Sequence, residues 1–504
     1  MDTATPTKAP EHFDVLIIGA GISGLGSAVH LQEQCPDKTY VILDAQDHFG
    51  GTWWTHKYPG IRSDSDLYTF GYRFKPWTGA PIATADKILQ YMGETIAEHE
   101  LDAHIRYRHK IVSAHWSSTT DLWTVEASLT DSGETRTYTT GFLWMCQGYY
   151  RHEEGYTPEW PGMADFQGRI VHPQRWPDDL VCKEKKVVVI GSGATAATLI
   201  PALADETAHI TMLQRSPTYF VPGRNVDDLA DQLRELEIDE RWIHEIVRRQ
   251  RLKMGNLFTH RAFQEPEAVK QELLAGVSAF VGPDATAKHF TPRYRPWRQR
   301  IAFVPDGDLF QKVKAGKASV VTDEIERFTA RGIKLKSGEE LEADIIITAT
   351  GFSLCVLGDI AFEVDGRPVD FAKTVTYRGM MFTGVPNLVW VFGYFRASWT
   401  LRVDLMGDFV CRLLNHLDAR HATKVAVNLS AEDRALEPLP WIDPEDFNPG
   451  YLMRGVDQMP KRLAKPEWQH TQDYWAEKDT LPAIDLDGAE FSYSAGRIEA
   501  VVAG

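Results

Sequence analysis

Cysteine is scarce in this chain: five residues in 504, scattered at Cys35, Cys146, Cys182, Cys355 and Cys411. With no CxxC pair and no metal-ligand spacing, they exclude a disulfide framework, a zinc site of that type and a redox-active dithiol. They read as reduced thiols in the core of a cytoplasmic protein. Long apolar runs are missing too. No window approaches the roughly 18 uninterrupted residues that a membrane span requires. The N-terminal MDTATPTKAPEHF has no charged segment leading into an apolar one, so secretion is not expected; contact with a membrane surface stays open. Positive charge is also short, with 54 Lys and Arg against 70 Asp and Glu for a net charge of −16, and no dense basic run. That removes the electrostatic footprint of a nucleic-acid binder. What is present is 43% hydrophobic residues without low-complexity tracts. A chain of this length supports about two or three domains with sizeable cores, and a small molecule is the expected partner. The oligomeric state is left open.

Two segments, Phe13 to Asp44 and Lys186 to Arg215, repeat one pattern: apolar run, glycine-rich turn, helix-like stretch, second apolar run. Each reads as the βαβ unit of a doubly wound sheet. In the first, Gly19, Gly21 and Gly24 form GxGxxG: the glycines give a tight turn, close approach to a pyrophosphate and close helix packing, and the helix N-terminus faces the phosphates. Asp44 ends the next strand, placed to accept from a ribose hydroxyl. In the second, Gly191 and Gly193 precede Thr195, with Ala196 at the third glycine position. Its second strand ends in Arg215 and Ser216 in place of an acid. A carboxylate repels a 2′-phosphate, whereas Arg and Ser pair with one, so this site is expected to prefer NADP to NAD. Two dinucleotide sites in one chain imply electron traffic between a nicotinamide and a flavin.

The expected fold class is α/β, with two Rossmann-like domains, one for FAD and one for NADP, and a helical insertion in the second. The first domain is expected over 11–150, a proline- and tryptophan-rich connector over 151–180, and the NADP domain over 181–340 with its insert at about 227–280. The chain would then return to the FAD domain over 341–504.

Between the two units lies Phe166-Gln167-Gly168-Arg169-Ile170-Val171-His172-Pro173-Gln174-Arg175-Trp176-Pro177. It fits the FxGxxxHxxxW(P/D) fingerprint at Phe166, Gly168, His172 and Trp176, and so resembles the type I Baeyer–Villiger monooxygenases, class B flavoproteins. Gly50-Gly51-Thr52-Trp53, continuing through Tyr58-Pro59-Gly60 to Asp64, resembles the family segment that passes the flavin ring and ends in an active-site Asp. The Ala349-Thr350-Gly351 turn is typical of the same two-domain flavoproteins. SDSDLYTFGYRFKPWTGA and PDGDLF are similar to the subgroup that includes the ethionamide-activating monooxygenases. The resemblance covers about Phe13 to Leu414.

What the resemblance implies is an enzyme using FAD, NADP(H) and O2, with no metal. It would insert one oxygen atom beside the carbonyl of a small ketone through a C4a-peroxyflavin, and would also oxidise sulfides. Arg300, in Pro296-Trp297-Arg298-Gln299-Arg300, matches the arginine that stabilises the reacting anion, and Asp64 would orient it; Arg293, Arg295 and Arg298 are neighbouring alternatives. His172 and Trp176 are expected to couple rotation of the NADP domain to the flavin site without touching substrate. Gly51, Thr52 and Trp53 would lie against FAD. The sequence departs from the family at Gln299, where a lysine is usual, and at Phe395-Arg396, which puts the substrate range in question if that loop lines the pocket. An N- or S-oxidising flavin monooxygenase, or an electron-transfer flavoprotein, are the rival readings.

Overall fold

A computed structural model describes residues 9–495. The first domain is built on a parallel sheet in the order Leu388–Trp390, Thr135–Met145, Glu11–Ile18, Tyr40–Leu43, Ile105–Arg106. Val15 to Ile18 and Tyr40 to Leu43 are buried along their whole length, the mark of strands covered on both faces. On one face the helices Ile22–Gln34 and Trp399–Ala419 pack together. The first half of Thr135–Met145 continues into an antiparallel meander with Leu122–Leu129 and His109–Ser117. In the middle strand of that meander, Trp123, Val125 and Ala127 are buried while their neighbours are partly exposed, the period-2 pattern of a half-buried sheet. Residues 388–419 thus return to the first domain, which is discontinuous as expected.

The second domain carries five parallel strands in the order Ala318–Thr322, His209–Gln214, Lys186–Ile190, Ile345–Thr348, Arg169–Val171. Two expected boundaries move. Arg169–Val171, inside the fingerprint and read from sequence as connector, is the edge strand of this sheet. Ile345–Thr348 is an interior strand of the same sheet, so the second domain runs past residue 340. The helical insert also extends beyond 280, as Asp228–Glu235, Glu240–Gln264, Pro266–Val281 and Pro283–His289.

The insert touches both bodies. Val269 and Leu273 pack with Tyr219 and Ile301 beside the second sheet, while Ile243 and Val247 join the core of the first domain. There the buried Arg248 donates to the carbonyls of Tyr68, Thr69 and Gly71 at 2.9, 3.2 and 2.9 Å, and to Asp404 at 3.5 Å. Four acceptors around one guanidinium offset the cost of removing the charge from water. The chain crosses between the domains twice, and the two crossings pair: Tyr150–Gly155 runs antiparallel to Phe352–Leu354. Among the described residues no helix is long and apolar enough to cross a membrane.

Candidate active site

A cavity of about 570 Å³ opens where the two glycine turns approach each other. From the first domain its wall takes Gly19, Gly21, Asp44, Gly51, Thr52, Trp53 and Asp64, and from the second Gly193, Thr195, Gln299 and Arg300. The first turn is set by sterics. Gly19 has φ +105°, and a Cβ there would lie 2.7 Å from the Cys146 carbonyl oxygen; one on Gly24 would lie 1.8 Å from the carbonyl oxygen of Gly19. Gly24 therefore lets the helix sit on its strand, away from the cavity. A Cβ on Gly51 would come within 3.3 Å of Gly21 Cα, so these two glycines close one end of the space. Asp44 accepts the N–H of Ala20 at 2.6 Å and that of Gln46 at 2.7 Å. Its burial pushes the carboxyl above the usual range despite those two donors.

In the second turn, a Cβ on Gly191 would lie 2.3 Å from the Ala349 carbonyl oxygen, whereas one on Gly193 meets nothing within 4 Å. Gly191 is thus fixed by packing, and Gly193 keeps open space for a ligand. Arg215 and Ser216 are exposed at the end of His209–Gln214, off the cavity wall, and among the described residues no carboxylate lies within ion-pair distance of Arg215.

Arg300 Nη2 lies 3.3 and 3.2 Å from the two Asp64 carboxylate oxygens, across a sequence separation of 236 residues. Asp64 holds the guanidinium pKa above its ordinary value, so the cation persists at every working pH. The neighbouring arginines are engaged elsewhere: Arg295 pairs with Asp446 and Arg298 with Glu445. Beside Arg300 stand Tyr149, Tyr150 and Tyr451, with the first two hydroxyls 2.6 Å apart and Tyr149 stacked on Trp399. Burial pushes the Tyr149 and Tyr150 phenols well up, so they stay protonated and able to donate.

The residues present fit a bound dinucleotide. Buried polar atoms without a protein partner gather on this wall: both amide atoms of Gln147, Nε2 of His56 and Nδ1 of His152. Leaving such a group unmet costs about 1–3 kcal/mol, and a ligand rich in hydroxyl, carbonyl and ring-nitrogen groups would satisfy them.

Residues 17–77 match the family model for an NAD(P)-binding Rossmann-like domain, and residues 80–230 that for flavin-binding monooxygenase-like proteins. The chain is 46% identical over 493 residues to the FAD-containing monooxygenase EthA of Mycobacterium tuberculosis, covering 96% of this chain and 98% of that protein. The chain belongs to the flavin-binding monooxygenase family. It is an FAD-containing monooxygenase with an NAD(P)-binding domain. It is also 39% identical over 480 residues to the probable FAD-binding monooxygenase AlmA of Acinetobacter baylyi, covering 95% of each chain. Among solved structures, a steroid monooxygenase bound to NADP superposes with a TM-score of 0.76 at 22% identity, over 96% of this chain and all of that one. An open cyclohexanone monooxygenase gives 0.74 at 20%, again over 96% and 100%. At those identities the likeness is one of fold.

In this flavin-binding monooxygenase the fingerprint residues stay off the cavity wall. Phe166 is buried against Phe328, and a Cβ on Gly168 would lie 2.2 Å from the Asp344 carbonyl oxygen. Trp176 packs on the second core. His172 Nδ1 accepts the N–H of Gln174 at 3.2 Å, which places the proton on Nε2, donating to the Gly351 carbonyl at 3.1 Å. Burial lowers its pKa, keeping the ring neutral. A Cβ on Gly155 would lie 1.9 Å from His172 Cε1, so the imidazole lies flat on one crossing strand while bonding the turn that begins the other. Phe395 and Arg396 do not line the cavity, although Tyr394 and Ala397 beside them do. Phe395 stacks on Phe447, and Arg396 donates to Asp446 at 2.9 Å. Sequence reading missed Gln147, His56, His152 and the tyrosine cluster. Only Gln147 carried a usable signal, standing just after the buried strand FLWMC where doubly wound folds bind ligands.

Proposed function

We propose that the protein is an NADPH- and O2-dependent monooxygenase that inserts one oxygen atom beside the carbonyl of a ketone, giving an ester or lactone. The observation that carries this reading is the Asp64–Arg300 pair, a permanent cation presented to a cavity that both dinucleotide turns enter. When bound, NADPH and FAD supply the electrons and the means of activating O2. The chain's own residues do the rest. The turns at Gly19 to Gly24 and Gly191 to Thr195 seat the two pyrophosphates, with Asp44 on the FAD ribose. Arg215 and Ser216 take the 2′-phosphate, which supports NADP over NAD. Thr52 and Trp53 lie along the flavin. Asp64 fixes the guanidinium, and Arg300 holds positive charge where the carbonyl oxygen under attack gains negative charge. Tyr149 or Tyr150 donates a proton in hydrogen bonding without giving it up. His172 and Trp176 keep the domains in register from outside the cavity.

The test is product identification with 18O2. FAD-loaded protein, NADPH and a panel of linear, cyclic and aryl ketones with one thioether are expected to give an ester or lactone bearing one labelled oxygen. Arg300→Ala is expected to lower that product rate by about 10²–10³. Labelled sulfoxide alone, or NADPH consumption matched by peroxide alone, would reject carbonyl oxidation and leave the family assignment standing.

A further inference from the structure

The longest helix of the insert, Glu240–Gln264, has two faces of different character. The inner one, with Ile243, Val247 and Arg248, is clamped onto the first domain. The outer one has no partner. Trp242 is 66% exposed, Met254 56% and Leu257 51%, with Ile246 also exposed between them. Residues 242, 246, 253 and 257 recur at helical spacing and share that outer face, so Lys253 lies within the apolar stripe and Arg249 along its edge. The carboxylates of this helix are already neutralised, Glu240 by Arg234 at 2.8 Å and Glu245 by Arg249 at 2.5 Å. Arg241 and Lys253 are exposed and, among the described residues, have no carboxylate within ion-pair distance.

We propose that this face docks on an anionic lipid surface. Exposed Trp, Ile, Met and Leu interleaved with cations form the pattern of a helix lying in a headgroup layer, where apolar side chains enter the acyl boundary and Lys or Arg stems reach up to phosphates. Charge selects this occupant over a second copy of the chain, because two such faces brought together about a two-fold axis would oppose Lys253 and Arg249 to their own images. Charge also selects the place: the protein as a whole carries −16 and is repelled by an anionic surface except where cations cluster. Glu235 and Glu237, exposed beside Leu236, tilt that end away, so contact centres on the stretch from Ile246 to Leu257.

The experiment is co-sedimentation of the FAD-loaded full chain with vesicles of phosphatidylcholine containing phosphatidylglycerol, or of phosphatidylcholine alone. Light scattering of the protein without lipid runs in parallel. Expected are binding to the anionic vesicles that weakens about tenfold or more between low and high salt, weaker binding to the neutral ones, and a monodisperse solution independent of protein concentration. Met254→Asp with Leu257→Asp is expected to abolish sedimentation with NADPH oxidation unchanged, and Lys253→Glu to weaken it alone. The proposal is overturned by absence of binding, by equal binding to both vesicles, or by binding that survives the double substitution. Concentration-dependent self-association removed by the same substitution would overturn it in favour of a second copy.

Discussion

Arg300 and Asp64 divide one task between charge and geometry. Because the guanidinium pKa is already raised, Asp64 is not needed to keep it charged; what Asp64 supplies is direction. Asp64→Asn preserves the shape and removes the fixed pairing, so ester or lactone formation is expected to fall about tenfold, the worth of one charge-assisted contact. Arg300→Lys is expected to recover little, since an ammonium lacks the planar fork; initial rates by chromatography check both. Histidines give a second residue-scale expectation. Burial holds His56 and His244 at about 4, against an ordinary value near 6.5. Between those pH values the unfolded chain binds protons that the folded chain refuses. Stability is therefore full above pH 6.5 and is lost as pH falls from there toward 4, by up to about 1.4 kcal/mol per pH unit for each ring. Thermal midpoints across that range should drop steeply, and His56→Asn should flatten the slope. None of this was legible beforehand: an isolated histidine in a sequence carries no mark of burial. Arg300 could be picked because motif and neighbours narrowed the field to four arginines, and geometry then engaged two of the others elsewhere.

The two glycine turns, alike as sequence motifs, separate as structural elements. Gly24 abuts backbone and Gly193 abuts nothing. Gly24→Ala is expected to push the first helix off its strand, lowering both thermal stability and the flavin absorbance carried per protein on purification. Gly193→Ala is expected to leave the melting temperature unchanged while the KM for NADPH rises about tenfold or more, because its methyl group occupies only the space of the ligand. Strand and helix of each βαβ unit were readable because long buried runs and caps at fixed spacing agree with one another. Arg169–Val171 was not, being three residues of which only Val171 is buried. A fragment that short joins a sheet through backbone pairing, to which side-chain pattern is silent. The packing of the insert was equally hidden, since Arg248 binds backbone carbonyls, which any residue offers.

Seen as a whole, the molecule consists of two sheets joined by one antiparallel pair of crossings, with His172 bonded across them and the insert bridging from outside. His172→Ala removes that bond without touching the cavity. More NADPH should then end as peroxide and less as oxygenated product, a ratio that peroxide quantitation beside product analysis measures directly; the amount of FAD bound should hold. The same connectivity sets an order on synthesis. The second sheet is complete once Ile345–Thr348 has left the ribosome, whereas the first still awaits Leu388–Trp390 and the helix Trp399–Ala419 that covers it. Domains generally fold as units as they emerge. The domain whose first strand is made earliest is therefore the last to close, and a nascent chain halted between residues 350 and 385 should resist protease in its middle while its N-terminal part is still digested.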